Sequence, residues 1–262
     1  MTTAPHGHGP LHGIGVLVTR PARQAAGLVA ELAALGARPI VFPAIVILPP
    51  ANPASLASAH AELDRYDAAI FVSANAAEYG APGRWPRNVT AYATGPGTAA
   101  ALAAVGVPDV RIPDTTFDSE GLLALAALGE IRGKRIAIFR GEGGRGHLGD
   151  TLRTRGARVD YVDCYRRAPP ASGAGGLVET LRAGGVQALT LTSAEGLDNL
   201  CALLEPADRA LLGRVPAFVP HPRIAEHARS LGFTATSTGS GDAGLIAGLL
   251  EWFAAHPLTK AT

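Results

Sequence analysis

Short apolar runs alternate with segments of helical period along most of the chain. The stretch "GIGVLVTRP" (13–21) is a β-branched run behind glycines and predicts a buried strand. "ARQAAGLVAELAALGA" (22–37) follows with apolar residues at helical spacing and Gly36 as a stop. The same order returns in "GKRIAIFRG" (133–141) and "GHLGDTLRTRGA" (146–157). Arg20 falls on Arg140 and Gly36 on Gly156, both at a separation of 120 (140 − 20; 156 − 36). "DAAIFVSANAAEYG" (67–80) pairs with "VQALTLTSAEGLDNL" (186–200), and Ser193 again lies 120 after Ser73. "VTAYATGPGTAAALAAVGV" (89–107) matches "VPAFVPHPRIAEHARSLGF" (215–233), and "FDSEGLLALAAL" (117–128) matches "SGDAGLIAGLLEWF" (240–253). Strands alternating with helices of these lengths predict an α/β protein whose parallel sheets carry helices on both faces. The long repeat predicts two similar lobes from an internal duplication rather than a solenoid array.

Two extended segments share a further frame. "GARPIVFPAIVILPP" (36–50) is almost wholly apolar inside. "GARVDYVDCYRRAPP" (156–170) carries Asp163, Cys164, Tyr165, Arg166 and Arg167. The partner of Tyr165 in the first copy is Ile45 (165 − 120). An aliphatic residue exchanged for a phenol is an asymmetry that function can impose.

Composition narrows the picture. At 262 residues the chain suits one large domain or two ordinary lobes. With 47% hydrophobic and 17% charged residues it is globular rather than disordered. A net charge of +1 gives no general attraction to nucleic acid or to an anionic membrane, so an anionic ligand must be held by local groups. The apolar runs are short and broken by prolines, which predicts no membrane span. The N-terminus has no signal-peptide pattern, and two cysteines are too few for a disulfide framework or a cysteine zinc site; a cytoplasmic protein is expected. His6, His8 and His12 lie among glycine and proline, and residues 1–12 read as a frayed, disordered tail rather than a metal site.

In parallel α/β sheets ligands sit beyond the carboxyl ends of the strands. The small and polar residues predicted there are Thr19, Arg20, Ser73, Ala74, Asn75, Thr94, Gly95, Gly97, Thr98, Arg140, Gly141, Arg145, Thr192, Ser193, His221 and Arg223. Several open helices, whose free N–H groups and positive dipole end favour anions. Arg20, Arg140 and Arg145 are candidates for carboxylate binding; Arg20 and Arg140 could instead pair with a neighbouring acid such as Glu142. Ser73, Thr98 and Ser193 are candidate helix caps, a role compatible with presenting N–H groups to a ligand. His221 either touches ligand or shapes a proline-flanked turn, and His227 reads as structural. "GEGGRG" (141–146) is not a clean dinucleotide motif, and no G-x-S-x-G elbow surrounds any serine.

The motifs "VLVTRP", "IFVSANA", "TGPGTAAAL", "FDSEGLL", "IFRGEGGRGHLGDTLRTRGARVDYVDCYRR", "LTSAEGL" and "FVPHPRIAEHA" together resemble the uroporphyrinogen-III synthase family over residues 13–253. The resemblance implies two similar lobes, each a parallel sheet with helices on both faces, joined by a two-stranded antiparallel linker. It places residues 13–38 with 171–256 in lobe one and 39–170 in lobe two, with linker strands at 39–50 and 158–170. It implies a lyase that cyclises hydroxymethylbilane, a linear tetrapyrrole with eight carboxylates, losing water and inverting ring D to give uroporphyrinogen III. No cofactor and no metal are expected. The implied protein is a monomer, with transient contact to the preceding pathway enzyme as a further expectation. Tyr165 falls where the family carries a tyrosine proposed to assist the leaving hydroxyl, although a linker tyrosine that only packs its ring fits the same position. The competing reading is a non-catalytic two-lobed binding protein for an anionic small molecule.

Overall fold

In the computed structural model residues 9–257 are described. The chain opens with β1 (Gly15–Val18), α1 (Ala22–Ala34) and β2 (Arg38–Val41). It continues through β3 (Val46–Leu48), α2 (Ala54–Ala61), β4 (Ala68–Phe71), α3 (Ala74–Gly80), β5 (Thr90–Ala93), α4 (Pro96–Ala104), α5 (Ser119–Ala124), β6 (Arg135–Gly141), α6 (His147–Thr154) and β7 (Arg158–Ala168). It ends with α7 (Gly175–Arg182), β8 (Ala188–Thr190), α8 (Ala194–Leu203), α9 (Pro206–Gly213), β9 (Ala217–Val219), α10 (Pro222–Ser230), β10 (Ala235–Ser237) and α11 (Gly241–Ala255).

Contacts divide the chain into two units. Unit 1 takes the residues up to Val46 and those from Ala168 onward; unit 2 takes Ile47–Arg167. The sheet of unit 1 has the order β10-β9-β8-β1-β2, and that of unit 2 the order β3-β7-β6-β4-β5. Every pair of known direction is parallel. The duplication seen in the pattern reaches the register. Gly15 pairs with Arg38 and Arg135 with Arg158; Val16 pairs with Ala188 and Ile136 with Ala68. Each equivalence is an offset of 120 (135 − 15; 158 − 38; 136 − 16; 188 − 68).

Strand periodicity explains why both faces of each sheet need cover. In β1, Val16 and Val18 join one core cluster with Leu28, Leu32, Phe218 and Leu249, while Leu17 joins another with Leu189, Leu191 and Val219. In unit 2, Phe71 and Phe139 face one cluster and stack with ring centroids 4.5 Å apart, while Ile70 and Ile138 face the other. The helix stops are physical as well. Gly36 and Gly156 take positive φ (85° and 91°), as glycine does at a helix C-terminus. There Gly36 and Ala37 donate to Ala33 and Leu32, and Gly156 and Ala157 donate to Arg153 and Leu152. These are the paired bonds of a Schellman ending, written twice.

Two expectations change. Residues 1–8, with His6 and His8, lie outside the described residues, but 9–12 form a packed turn rather than a frayed tail. Leu11 donates to Leu35 O at 3.0 Å and is fully buried in the core of unit 1; that burial holds the turn. His12 is exposed on it. The segment 39–50, expected as one linker strand, is in two pieces. Pro43 lies in the break between them; β2 belongs to the sheet of unit 1, and β3 lies beside β7. Among the described residues no helix is long and apolar enough to cross a membrane.

Candidate active site

A pocket of about 480 Å³ opens in unit 2 where β4, β5 and β6 end. Tyr165, Ser73, Thr94, Arg140, Gly141 and Arg145 line it, as expected for residues beyond the carboxyl ends of parallel strands. Phe117, Asp118, Ser119, Leu148 and Arg167 line it too, and the sequence did not mark them as site residues. The signal was present for three of them, because "FDSEGLL" reads as an acid-capped helix start. Asp118 does cap α5, accepting from Gly121 N–H at 2.9 Å.

The position of Tyr165 depends on an irregularity in β7. Arg140 pairs with Asp163, but the next residue, Gly141, pairs with Tyr165. Cys164 is therefore one extra residue in the strand, a β-bulge. Strict alternation would put Tyr165 on the face of Tyr161. Instead Tyr165 joins Val162 and Cys164 in one core cluster, while Tyr161 packs on the other. The bulge thus turns the phenol toward α3. The Cys164 thiol fixes it from beneath, donating to Arg140 O at 3.2 Å. Burial pushes that thiol's pKa up to about 12, with neighbouring Asp163 adding to the effect.

The Tyr165 side chain is enclosed but its hydroxyl is not idle. The residue is 4% exposed, its ring centroid lies 6.3 Å from that of Tyr79, and its Oη is 3.2 Å from Ser73 Oγ. Gly141 is required by this packing. A Cβ there would come within 2.7 Å of Tyr165 Cζ and 3.0 Å of its Oη. Gly143 supplies positive φ (71°) in the turn that follows. These two glycines of "GEGGRG" thus have structural explanations.

Arg140 is committed within its own unit. Nε donates to Asp163 at 2.9 Å, Nη1 donates to Gly144 O at 2.9 Å, and the guanidinium lies 3.8 Å from the centroid of the Tyr161 ring. Its acid is Asp163, not Glu142, whose carboxylate accepts from Ala51 N–H at 2.5 Å. Arg145 is different: it lines the pocket, is exposed, and has no hydrogen bond or ion pair among the described residues. Ser73 caps α3 by accepting from Ala76 N–H at 3.1 Å, and Ala74 and Asn75 form the first turn. Thr94 lies 3.4 Å, hydroxyl to hydroxyl, from buried Thr98, Gly95 packs against Phe117, and Gly97 is open.

The equivalent strand ends of unit 1 surround a smaller pocket of about 240 Å³ lined by Arg20, Thr192, His221 and Asp242. Arg20 is 12% exposed and pairs with Asp242 at 2.6 Å. Thr19 is buried and donates to Thr190 O at 2.8 Å. Ser193 caps α8 by accepting from Gly196 N–H at 3.0 Å. His221 precedes α10 without capping it through its side chain and is exposed, as is Arg223. His227 Nε2 lies 2.7 Å from Asp198 Oδ1, an internal contact of the structural kind expected of it.

A buried phenol and an arginine that has no partner among the described residues line one pocket at the carboxyl ends of a parallel sheet, in a protein of the α/β class. Comparison with known proteins gives the family. The family model described as Uroporphyrinogen-III synthase HemD matches residues 26–247. The uroporphyrinogen-III synthase of Salmonella typhimurium is 37% identical over 229 residues, covering 84% of this chain and 92% of the relative. That of Escherichia coli is 35% identical over the same length and shares. The chain belongs to the uroporphyrinogen-III synthase family, a family of cyclising lyases. Solved structures agree on the fold. A mutant uroporphyrinogen III synthase from Thermus thermophilus aligns with a TM-score of 0.56 at 21% identity, over 92% of this chain and 99% of that one. The Helicobacter pylori enzyme aligns with a TM-score of 0.57 at 13% identity, over 91% and 99%.

Proposed function

We propose that the unit 2 pocket binds hydroxymethylbilane and that Tyr165 donates the proton on which its hydroxyl departs. The hydroxymethyl oxygen takes the phenol proton and leaves as water, giving a phenolate and a cationic azafulvene. Ring D is inverted through a spiro intermediate, and the proton released when the macrocycle closes and rearomatises restores the phenol. The observation that carries the reading is an enclosed phenol, Tyr165, lining the same pocket as Arg145, whose guanidinium has no partner among the described residues. A neutral phenol is a competent donor at neutral pH, and one placed acid contributes roughly 10²–10⁴-fold. Arg145 holds a substrate carboxylate by a charge-assisted contact. Arg140 acts first through its internal pair with Asp163.

The test is incubation of the purified protein with freshly prepared hydroxymethylbilane and no added cofactor, followed by isomer analysis. Uroporphyrinogen III is the expected product. Only the isomer I that forms without enzyme would overturn the proposal.

A further inference from the structure

Ser73 makes two contacts with one hydroxyl. Its oxygen accepts from Ala76 N–H at 3.1 Å, and it lies 3.2 Å from the Tyr165 hydroxyl. Between the two hydroxyls either atom can donate. The direction matters. If Tyr165 gives its proton to Ser73, the phenol has nothing left for a ligand. If Ser73 donates, the phenol proton is free to turn to the pocket, and the serine keeps its cap because the cap uses only a lone pair.

We infer that Ser73 is a positioning residue for the Tyr165 phenol: its proton goes to the phenol oxygen, orients the phenol as a donor and stabilises the phenolate that forms. This rests on Tyr165 being the acid. A hydrogen bond to an anionic oxygen is shorter and roughly twice as strong as one between neutral groups. The Ser73 contact therefore strengthens as the phenol proton leaves, and an interaction stronger in the transition state than in the ground state raises kcat. The enclosed ring, packed against Gly141 and near Tyr79, keeps water from replacing it.

The duplication supplies an internal contrast. Ser193 caps α8 through Gly196 N–H at 3.0 Å just as Ser73 caps α3. At the position equivalent to Tyr165 stands Ile45, whose Cδ1 lies 3.7 Å from where a Cβ on Gly196 would be. The cap is common to both copies, whereas the hydroxyl partner exists only in the polar one.

The experiment is a double-mutant cycle on the full chain with hydroxymethylbilane, reading kcat, KM and thermal unfolding. Ser73→Ala is expected to lower kcat about 10-fold with KM nearly unchanged, the scale of one placed hydrogen bond. Ser73→Gly, which is tolerated as a cap far better than Ala, separates a lost hydroxyl from a lost helix start and is expected to show the same kcat loss. Ser73→Thr keeps both functions and is expected to restore kcat to within about 3-fold of the parent. In the Tyr165→Phe background, Ser73→Ala is expected to cost no further kcat, because its partner has gone. A full additive loss in that background, or a Ser73→Gly variant with normal kcat, would overturn the inference while leaving Tyr165 as the acid. A normal kcat for Tyr165→Phe would instead overturn the donor assignment, and the serine's role with it.

Discussion

Gly141→Ala places one methyl group where the structure has no room for it. The added Cβ would lie 2.7 Å from Tyr165 Cζ and 2.8 Å from Cε2, against an ordinary contact that begins near 3.4 Å. Part of the ring must therefore move by roughly 0.7 Å (3.4 − 2.7). It has little freedom to do so, being 4% exposed and held in the core cluster with Val162 and Cys164. Overpacking of this kind costs about 1–3 kcal/mol. Gly141 is not among the glycines with positive φ, so alanine recovers about 0.4–1 kcal/mol from the unfolded chain. The net expectation is a loss of about 1–2 kcal/mol, or roughly 2–8 °C in Tm. The effect on turnover should be larger than the effect on stability. A phenol displaced by that distance loses its alignment with the leaving oxygen, and a misplacement near 1 Å can cost on the order of 100-fold. Steady-state kinetics and thermal unfolding on the same preparation read both. Gly141→Ala with unchanged kcat would refute the claim that this glycine exists to let the phenol approach.

Further expectations rest on particular contacts and on the order of the sheets. Arg140→Ala breaks the Asp163 pair, the Gly144 contact and the Tyr161 stack, and should cost about 1.5–3 kcal/mol of stability in chemical denaturation; unchanged stability would show that the ion pair is idle. Arg145→Gln should raise KM roughly 3- to 10-fold with little change in kcat or Tm, as expected for loss of a solvent-facing ligand contact. Cys164 should resist alkylation at pH 8 in the native protein. Because its folded pKa is raised to about 12, the stability it lends is present below the unfolded thiol value and is lost as pH climbs from about 9 toward 12. Tyr66, also raised to about 12, chiefly by burial, with Asp160 adding, has the same sign; a denaturation midpoint that rises over this range would contradict both. A fragment of residues 168–262 should show no cooperative unfolding, because β1 lies between β2 and β8 and its Val16, Leu17 and Val18 are fully buried.

The alternation of strands and helices, the two parallel sheets and the duplication were legible because each rests on local spacing. The offset of 120 between the two Gly-Ala-Arg stops became a matched pair of Schellman endings and matched strand registers. Tyr165 could be singled out by its exchange with Ile45, but not its direction. A bulge at Cys164 reverses which face the phenol takes, and a bulge is decided by pairing with a strand far away in sequence. Arg140 meets Asp163 because the regular register before the bulge places them side by side, a pairing also decided across strands far apart in sequence. Phe117 and Asp118 escaped notice as site residues because their place at the pocket is set by packing across the loop before α5, which leaves no periodic trace. Leu11 escaped because one apolar residue among glycines and prolines gives no pattern, although a single buried side chain is enough to hold a turn.

The most direct test of the account is kcat for Tyr165→Phe with hydroxymethylbilane, with the product isomer analysed alongside. The substitution keeps the ring in its enclosure and removes only the donor. The account expects kcat to fall roughly 10- to 10³-fold with a much smaller change in KM, and the residual product still to be the III isomer. Wild-type kcat in Tyr165→Phe would contradict the assignment of the phenol as the acid that releases the leaving hydroxyl.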